Sequence, residues 1–292
     1  MRFPDSNPIR AAAAFCLLLS PLIAAASATA PPPTIGVSPS RLEIDVTDET
    51  TTGSATVLNL GDRPIHVKSS AVSFDLDEAN EFHERAPEPG SLATAMMINP
   101  VEFTIPPKGS QTVRFAIMRN RLVGQGEHRA MLFFSELVDT SLTGVKLNFR
   151  LGMPIYATVG ERNPVAVFND VSFDAAERRL DLDISSIGNV QVRPAGFYLW
   201  WPVADFPQDS SALKQVSDLA ENPGRALPEP ATGGRLVTKP VFAGTRRTLT
   251  ATLQPPPDSG NYKLVVHVDA GDKSVERVID YAPSQVLVVN SE

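Results

Sequence analysis

Cysteine is nearly absent from this sequence: its 292 residues contain one, Cys16. If the first 28 residues are removed on export, as their pattern predicts, the mature chain has no thiol. Disulfides, thiol catalysis and cysteine-ligated metal sites are then excluded together. An exported protein without disulfides must depend on its hydrophobic core, which a chain of this length is able to form.

Positive charge is also scarce. Lysine and arginine number 26 against 33 acidic residues, which gives a formal net charge of −7. Binding to nucleic acid depends on basic side chains that neutralise phosphates, and no basic stripe is present. Nucleic acid is therefore not expected as a partner.

Long hydrophobic runs are missing as well. The apolar run at residues 11–26 follows Arg2 and Arg10 and is interrupted by Ser20 and Pro21, so it falls short of the roughly 20 residues that span a bilayer. It ends in a small-x-small pattern at residues 26–28. We predict a signal peptide over residues 1–28, cleaved near Ala28, with a periplasmic location and no stable membrane insertion. A membrane anchor is the less favoured alternative.

Signs of catalytic chemistry are lacking too. The four histidines are scattered and have no ligand spacing, and there is no nucleophile elbow, phosphate loop or dinucleotide fingerprint. We therefore expect neither an enzyme nor a bound metal or cofactor.

What the sequence does contain, from residue 34 onward, is short runs of alternating apolar residues separated by turns, without a long stretch of helical period. This pattern predicts an all-β protein of two immunoglobulin-like β-sandwich domains in tandem. Turn-then-strand signals at residues 58–62 and 126–132 recur in the same order at 184–189 and 260–266. We predict domains at residues 31–160 and 164–285, and we expect the Trp200-Trp201 pair to pack in a core or domain interface.

The clearest single pattern is at residues 145–153, where five large apolar residues alternate with polar residues or glycine: Val145, Leu147, Phe149, Leu151 and Met153. All five point to one face of a strand. One interpretation is an ordinary half-buried strand within its own sheet. The other is an edge strand whose apolar face is kept for a partner, since natural proteins normally protect such edges.

Several segments of the first half resemble the periplasmic pilus chaperones of the chaperone–usher pathway. They are GVSPSRLEI at residues 36–44, VLNLG at 57–61, NPVEFTIPP at 99–107 and VRF at 113–115. The alternating segment at residues 145–153 follows at the place of that family's donor strand.

The resemblance implies a chaperone that binds pilus or fimbrial subunits by donor-strand complementation and delivers them to an outer-membrane usher. It implies that the five apolar residues from Val145 to Met153 bind the subunit, and that Arg41 holds the subunit's terminal carboxylate. Pro154 occupies the place of the family's second basic residue, so Arg150 becomes the candidate second cation. The alternative is an exported structural or adhesive tandem sandwich without chaperone activity.

Overall fold

The computed structural model describes residues 35–137 and 149–283; the predicted signal peptide lies outside them. The described residues of the first half form ten strands and a short helix, α1 (Leu92–Ala95). The strands are β1 (Ile35–Ser38), β2 (Leu42–Asp45), β3 (Thr50–Asn59), β4 (Ile65–Leu76), β5 (Phe82–Arg85), β6 (Met96–Asn99), β7 (Glu102–Ile105), β8 (Ser110–Met118), β9 (Gly126–Glu136) and β10 (Arg150–Val159).

The described residues of the second half, as far as residue 283, form seven strands and a longer helix, α2 (Asp209–Glu221). Neither described helix has the length and apolar character that a bilayer crossing requires. Single 3₁₀ turns lie at Arg119–Arg121 and Val203–Asp205. The strands are β11 (Ala166–Asp174), β12 (Arg179–Ser186), β13 (Ala195–Pro202), β14 (Thr232–Val237), β15 (Arg246–Thr252), β16 (Tyr262–Ala270) and β17 (Lys273–Tyr281).

The first half forms a sandwich of two sheets. One sheet has the order β1-β3-β8-β6, and the other has the order β2-β10-β9-β4, with β5 and β7 both paired to β4. Alternate residues of these strands face inward, as the pleat requires, and the core between the sheets includes Val67, Phe115, Leu132 and Ile155. The period of two in the sequence is therefore what places the core.

The second half forms another sandwich, with sheets β11-β12-β15 and β14-β13-β16-β17. Leu180, Leu182 and Ile184 alternate into its core and are fully buried. Trp200 lies among them, and its indole N–H donates to the carbonyl of Gln254 at 2.9 Å. The predicted all-β fold of two sandwiches is confirmed, whereas the exact domain limits stay a prediction.

Helix α2, with 13 residues, corrects the expectation that the sequence contains no long stretch of helical period. Its Ala212, Val216 and Leu219 recur at helical spacing and are buried. They cover the outer side chains of β13, including Trp201, so that β13 is buried on both faces. An apolar run without alternation is the expected signature of such a strand.

The two sandwiches meet through a small aromatic cluster. Phe74 on β4 and Tyr156 on β10 contact Phe242, which follows β14 in the second half. The guanidinium carbon of Arg129 lies 4.0 Å from the centre of the Phe242 ring. A backbone hydrogen bond also joins the two halves: the N–H of Glu127 donates to the carbonyl of Asn189 at 3.0 Å.

Candidate functional site

The structure describes only part of the predicted donor segment, and the described residues differ in how deeply they are buried. Val145 and Leu147 lie outside the described residues. Phe149 and Leu151 are half-buried and pack against the core of the first sandwich. Met153 has no exposed surface. Its side chain is buried in the protein's own core and is therefore not presented to a partner.

Strand β10 has one covered backbone edge and one that is covered only in part. It pairs with β9 along its whole length, whereas β2 pairs in parallel with Ile155–Thr158 alone. Among the described residues, no strand pairs with the outer edge of β10 over residues 150–154. In the described part of the chain, the sheet thus ends at residues 150–154 in an open strand edge.

The direction of the hydrogen bonds shows which groups this open edge presents. The carbonyl of Phe149 accepts from Glu136 on β9, while the carbonyl of Thr158 accepts from Val46 beyond β2. Because successive residues of a strand point their backbone groups to opposite sides, Arg150 and Gly152 direct their N–H and C=O groups outward. Pro154 has no N–H, so over residues 150–154 only Arg150 and Gly152 have an N–H that points outward from this edge.

The outer face of β10 carries its own aromatic surface. The guanidinium carbon of Arg150 lies 3.5 Å from the centre of the Phe133 ring, and the same guanidinium pairs with Glu84 on β5. A Cβ atom on Gly152 would lie 2.7 Å from the sulfur of Met131 and 3.0 Å from the Phe133 ring. Glycine therefore leaves room for these side chains to lie across the strand.

Arg41, the first predicted anchor, is half-exposed, and its Nε lies 3.4 Å from a carboxylate oxygen of Glu43. The register that pairs Leu42 with Ile155 places Arg41 beside Pro154, on the same outer face as Arg150. Pro154 lies four positions along the strand from Arg150, which corresponds to roughly 13 Å. The structure therefore puts both predicted cations on one face but does not bring them together.

Sequence reasoning missed the aromatic cluster beside this edge. Tyr156 is buried there, and burial raises the pKa of its hydroxyl. Arg129 donates to the carbonyl of Phe74 and to Asp75, at 3.4 and 3.2 Å. The apolar run of β9, in which Met131 and Phe133 interrupt the alternation, was a signal that both faces of this strand are covered.

Metal ligation finds no support in the described part of the chain, where no group of three histidine, cysteine or acidic side chains could hold an ion.

Comparison with known proteins gives structural matches only. The chain matches no protein-family model and no curated protein sequence. Its structure is similar to the class 5 fimbriae chaperone CfaA, at 12% identity and a TM-score of 0.43, over 84% of this chain and 98% of that one. It is also similar to the YadV chaperone, at 12% identity and a TM-score of 0.44, over 85% of this chain and 99% of that one.

A third match is the CsuC–CsuE chaperone–tip adhesion subunit pre-assembly complex from archaic chaperone–usher Csu pili of Acinetobacter baumannii. The identity is 13% and the TM-score 0.44, over 86% of this chain and 99% of the matched chain. All three matches extend over most of this chain, at low identity.

Proposed function

We propose that the chain is a periplasmic chaperone that binds pilus or fimbrial subunits by donor-strand complementation and passes them to an outer-membrane usher. The first sandwich, residues 31–160, is the binding domain in this proposal, and the second, residues 164–285, is a companion domain. The observation that carries the proposal is the open edge of β10 beside the alternating segment at residues 145–151.

The open edge supports strand addition for a physical reason. A strand with unpaired N–H and C=O groups is an aggregation hazard unless it is protected or used. Here Arg150 and Gly152 present such groups, and the alternating segment leads directly into them. An incoming subunit strand would pair with this edge, and its groove would take apolar side chains of the segment.

The proposed complex with a subunit needs no cofactor, because burial of apolar side chains would stabilise it. Burial of one large apolar side chain contributes roughly 1.5 to 3 kcal/mol before ordering costs. Val145 and Leu147, with a contribution from the half-buried Phe149 and Leu151, would together stabilise a client that lacks a strand of its own. Met153 contributes to the chaperone's own stability instead.

The experiment compares substitutions at two neighbouring residues whose side chains are predicted to point to opposite faces of the strand. We expect Leu147→Asp to abolish co-purification of an exported subunit, because an unpaired charge would enter an apolar groove. Asn148→Asp, the matched control, should retain the subunit, because residue 148 alternates to the polar side. Equal recovery with both variants, at unchanged melting temperatures, would refute strand donation.

One observation favours a second candidate, an exported structural or adhesive protein. Phe149 and Leu151 pack partly, and Met153 wholly, against the core of their own sandwich. If the whole segment is an internal strand, Leu147→Asp should lower the melting temperature by several degrees, and no client should be recovered from wild type.

A further inference from the structure

A cavity of about 550 Å³ lies on the outer face of the first sandwich, on the sheet with the order β1-β3-β8-β6. It is lined by residues of β3, β6 and β8. Sites that bind small molecules have volumes of about 300 to 1,000 Å³. The open edge of β10 belongs to the other sheet, so this cavity is separate from the edge at which we propose that a subunit binds.

The alternation of the strands decides which side chains face this cavity. Val113 and Phe115 of β8 are buried in the core between the two sheets. Their neighbours Arg114 and Ala116 therefore point to the opposite face, toward solvent. The same alternation places four more of the cavity-lining side chains on this outer face: Thr52, Ser54, Met97 and Asn99.

These side chains form two rows across the three strands. One row is polar, because the register sets Ser54 of β3 and Asn99 of β6 on either side of Arg114. The next row is more apolar, because the register sets Met97 beside Ala116. The rows lie two positions apart along β8, which corresponds to roughly 7 Å. The cavity thus has a polar end and an apolar end.

Among the described residues, Arg114 supplies the single charge on the wall of the cavity. Its side chain is exposed, and in the described part of the chain it has no ion-pair or hydrogen-bond partner. Acidic residues outnumber basic ones in this protein by 33 to 26, yet none of the described acidic residues lines this cavity. The local potential therefore favours an anion. Met97, which is 56% exposed, leaves apolar surface uncovered beside this charge.

We propose that this cavity binds a small amphipathic anion, a carboxylate that carries a short hydrocarbon chain. The planar fork of the Arg114 guanidinium is able to pair with both oxygens of a carboxylate. The Ser54 hydroxyl and the Asn99 amide supply further donors on either side of it. The hydrocarbon chain would extend toward the next row, where it would cover Ala116 and contact Met97. This assignment does not depend on the proposed chaperone function.

The test is titration of the full chain, labelled with ¹³C at the methionine methyl groups, with hexanoate. We expect a saturable shift of the Met97 methyl resonance, whereas Met153, which is buried in the core, should not respond. Hexanol lacks the charge and acetate lacks the chain, so each should bind about tenfold more weakly than hexanoate. Arg114→Gln should weaken hexanoate binding by about tenfold, because a charge-assisted hydrogen bond becomes a neutral one. Arg121→Gln, at an exposed arginine outside the cavity, is the matched control and should leave the affinity unchanged.

Ala116→Leu provides a second variant, because the larger side chain would occupy the place of the hydrocarbon chain, and a weaker affinity for hexanoate is expected at an unchanged melting temperature. Equal binding of hexanol and hexanoate would overturn the assignment, since the cavity would then be an apolar patch in which Arg114 has no part. Acetate bound as tightly as hexanoate would overturn it too, because Arg114 would then bind any anion. The absence of a saturable shift, or an unchanged affinity in Arg114→Gln, would overturn it as well.

Discussion

Phe242 is the most buried residue of the aromatic cluster between the two sandwiches, and its removal tests how strongly this contact couples them. The ring is 1% exposed. Its centroid lies 5.9 Å from that of Phe74 in an edge-on arrangement and 6.4 Å from that of Tyr156. Arg129 lies over its face.

We expect Phe242→Ala to lower the free energy of unfolding by about 4 kcal/mol. Truncation of a buried phenylalanine costs about 3 to 5 kcal/mol, and the lost cation–π contact, about 0.5 to 2 kcal/mol, places this site in the upper part of that range. Phe242→Leu keeps most of the volume and loses mainly the aromatic contacts, so we expect about 1 to 2 kcal/mol.

Urea unfolding measures both variants with two probes. The only tryptophans, Trp200 and Trp201, lie in the second sandwich, so fluorescence reports that half, whereas far-UV circular dichroism reports both. If Phe242 couples the halves, the two midpoints coincide in wild type and separate in Phe242→Ala. Ile187→Ala, at a site 65% exposed, is the control and should change stability by less than about 0.5 kcal/mol. A loss below about 1 kcal/mol in Phe242→Ala would refute the reasoning.

Other substitutions test single features of the fold. Gly196→Ala should destabilise the second sandwich by about 3 kcal/mol in urea unfolding, since a Cβ atom there would collide with the carbonyl of His267. Gly36→Ala is the control and should be tolerated, because the nearest atom to its Cβ would be 3.5 Å away. Asn59→Ala should cost about 3 kcal/mol of thermal stability, because the two N–H groups of the Asn59 side chain are shared among three carbonyls and its oxygen accepts from the N–H of Gly61. A melting temperature within a degree of wild type would contradict this. Because the pKa of His128 is lowered in the folded protein, the unfolded chain takes up this proton at a higher pH than the folded chain. The stability that depends on neutral His128 is therefore fully present above about pH 6.5 and is lost as the pH falls through the folded pKa. His128→Gln should flatten that part of the profile of stability against pH, and an unaltered profile would show that His128 does not cause it.

The sequence determined the features that depend on local pattern. Alternation of apolar residues was enough to predict two β-sandwiches, because a half-buried strand shows its period of two without reference to its neighbours. Trp200 could be assigned to the core for a similar reason, since a sandwich strand buries its aromatic residues. The helix at Asp209–Glu221 was also present as a pattern, in Ala212, Val216 and Leu219, but a strand-rich context masked so short a signal.

The tertiary structure alone decided how deep each residue of an alternating segment lies. Period two fixes the face on which Phe149, Leu151 and Met153 point, but burial depends on which strands stand opposite, and only Met153 is fully covered. Pairing also decided that β2 covers β10 at Ile155–Thr158 and that, among the described strands, none covers the outer edge at Arg150 and Gly152. The residues that form these contacts are far apart in the chain, so no local pattern could have shown the open edge or the Phe242 cluster.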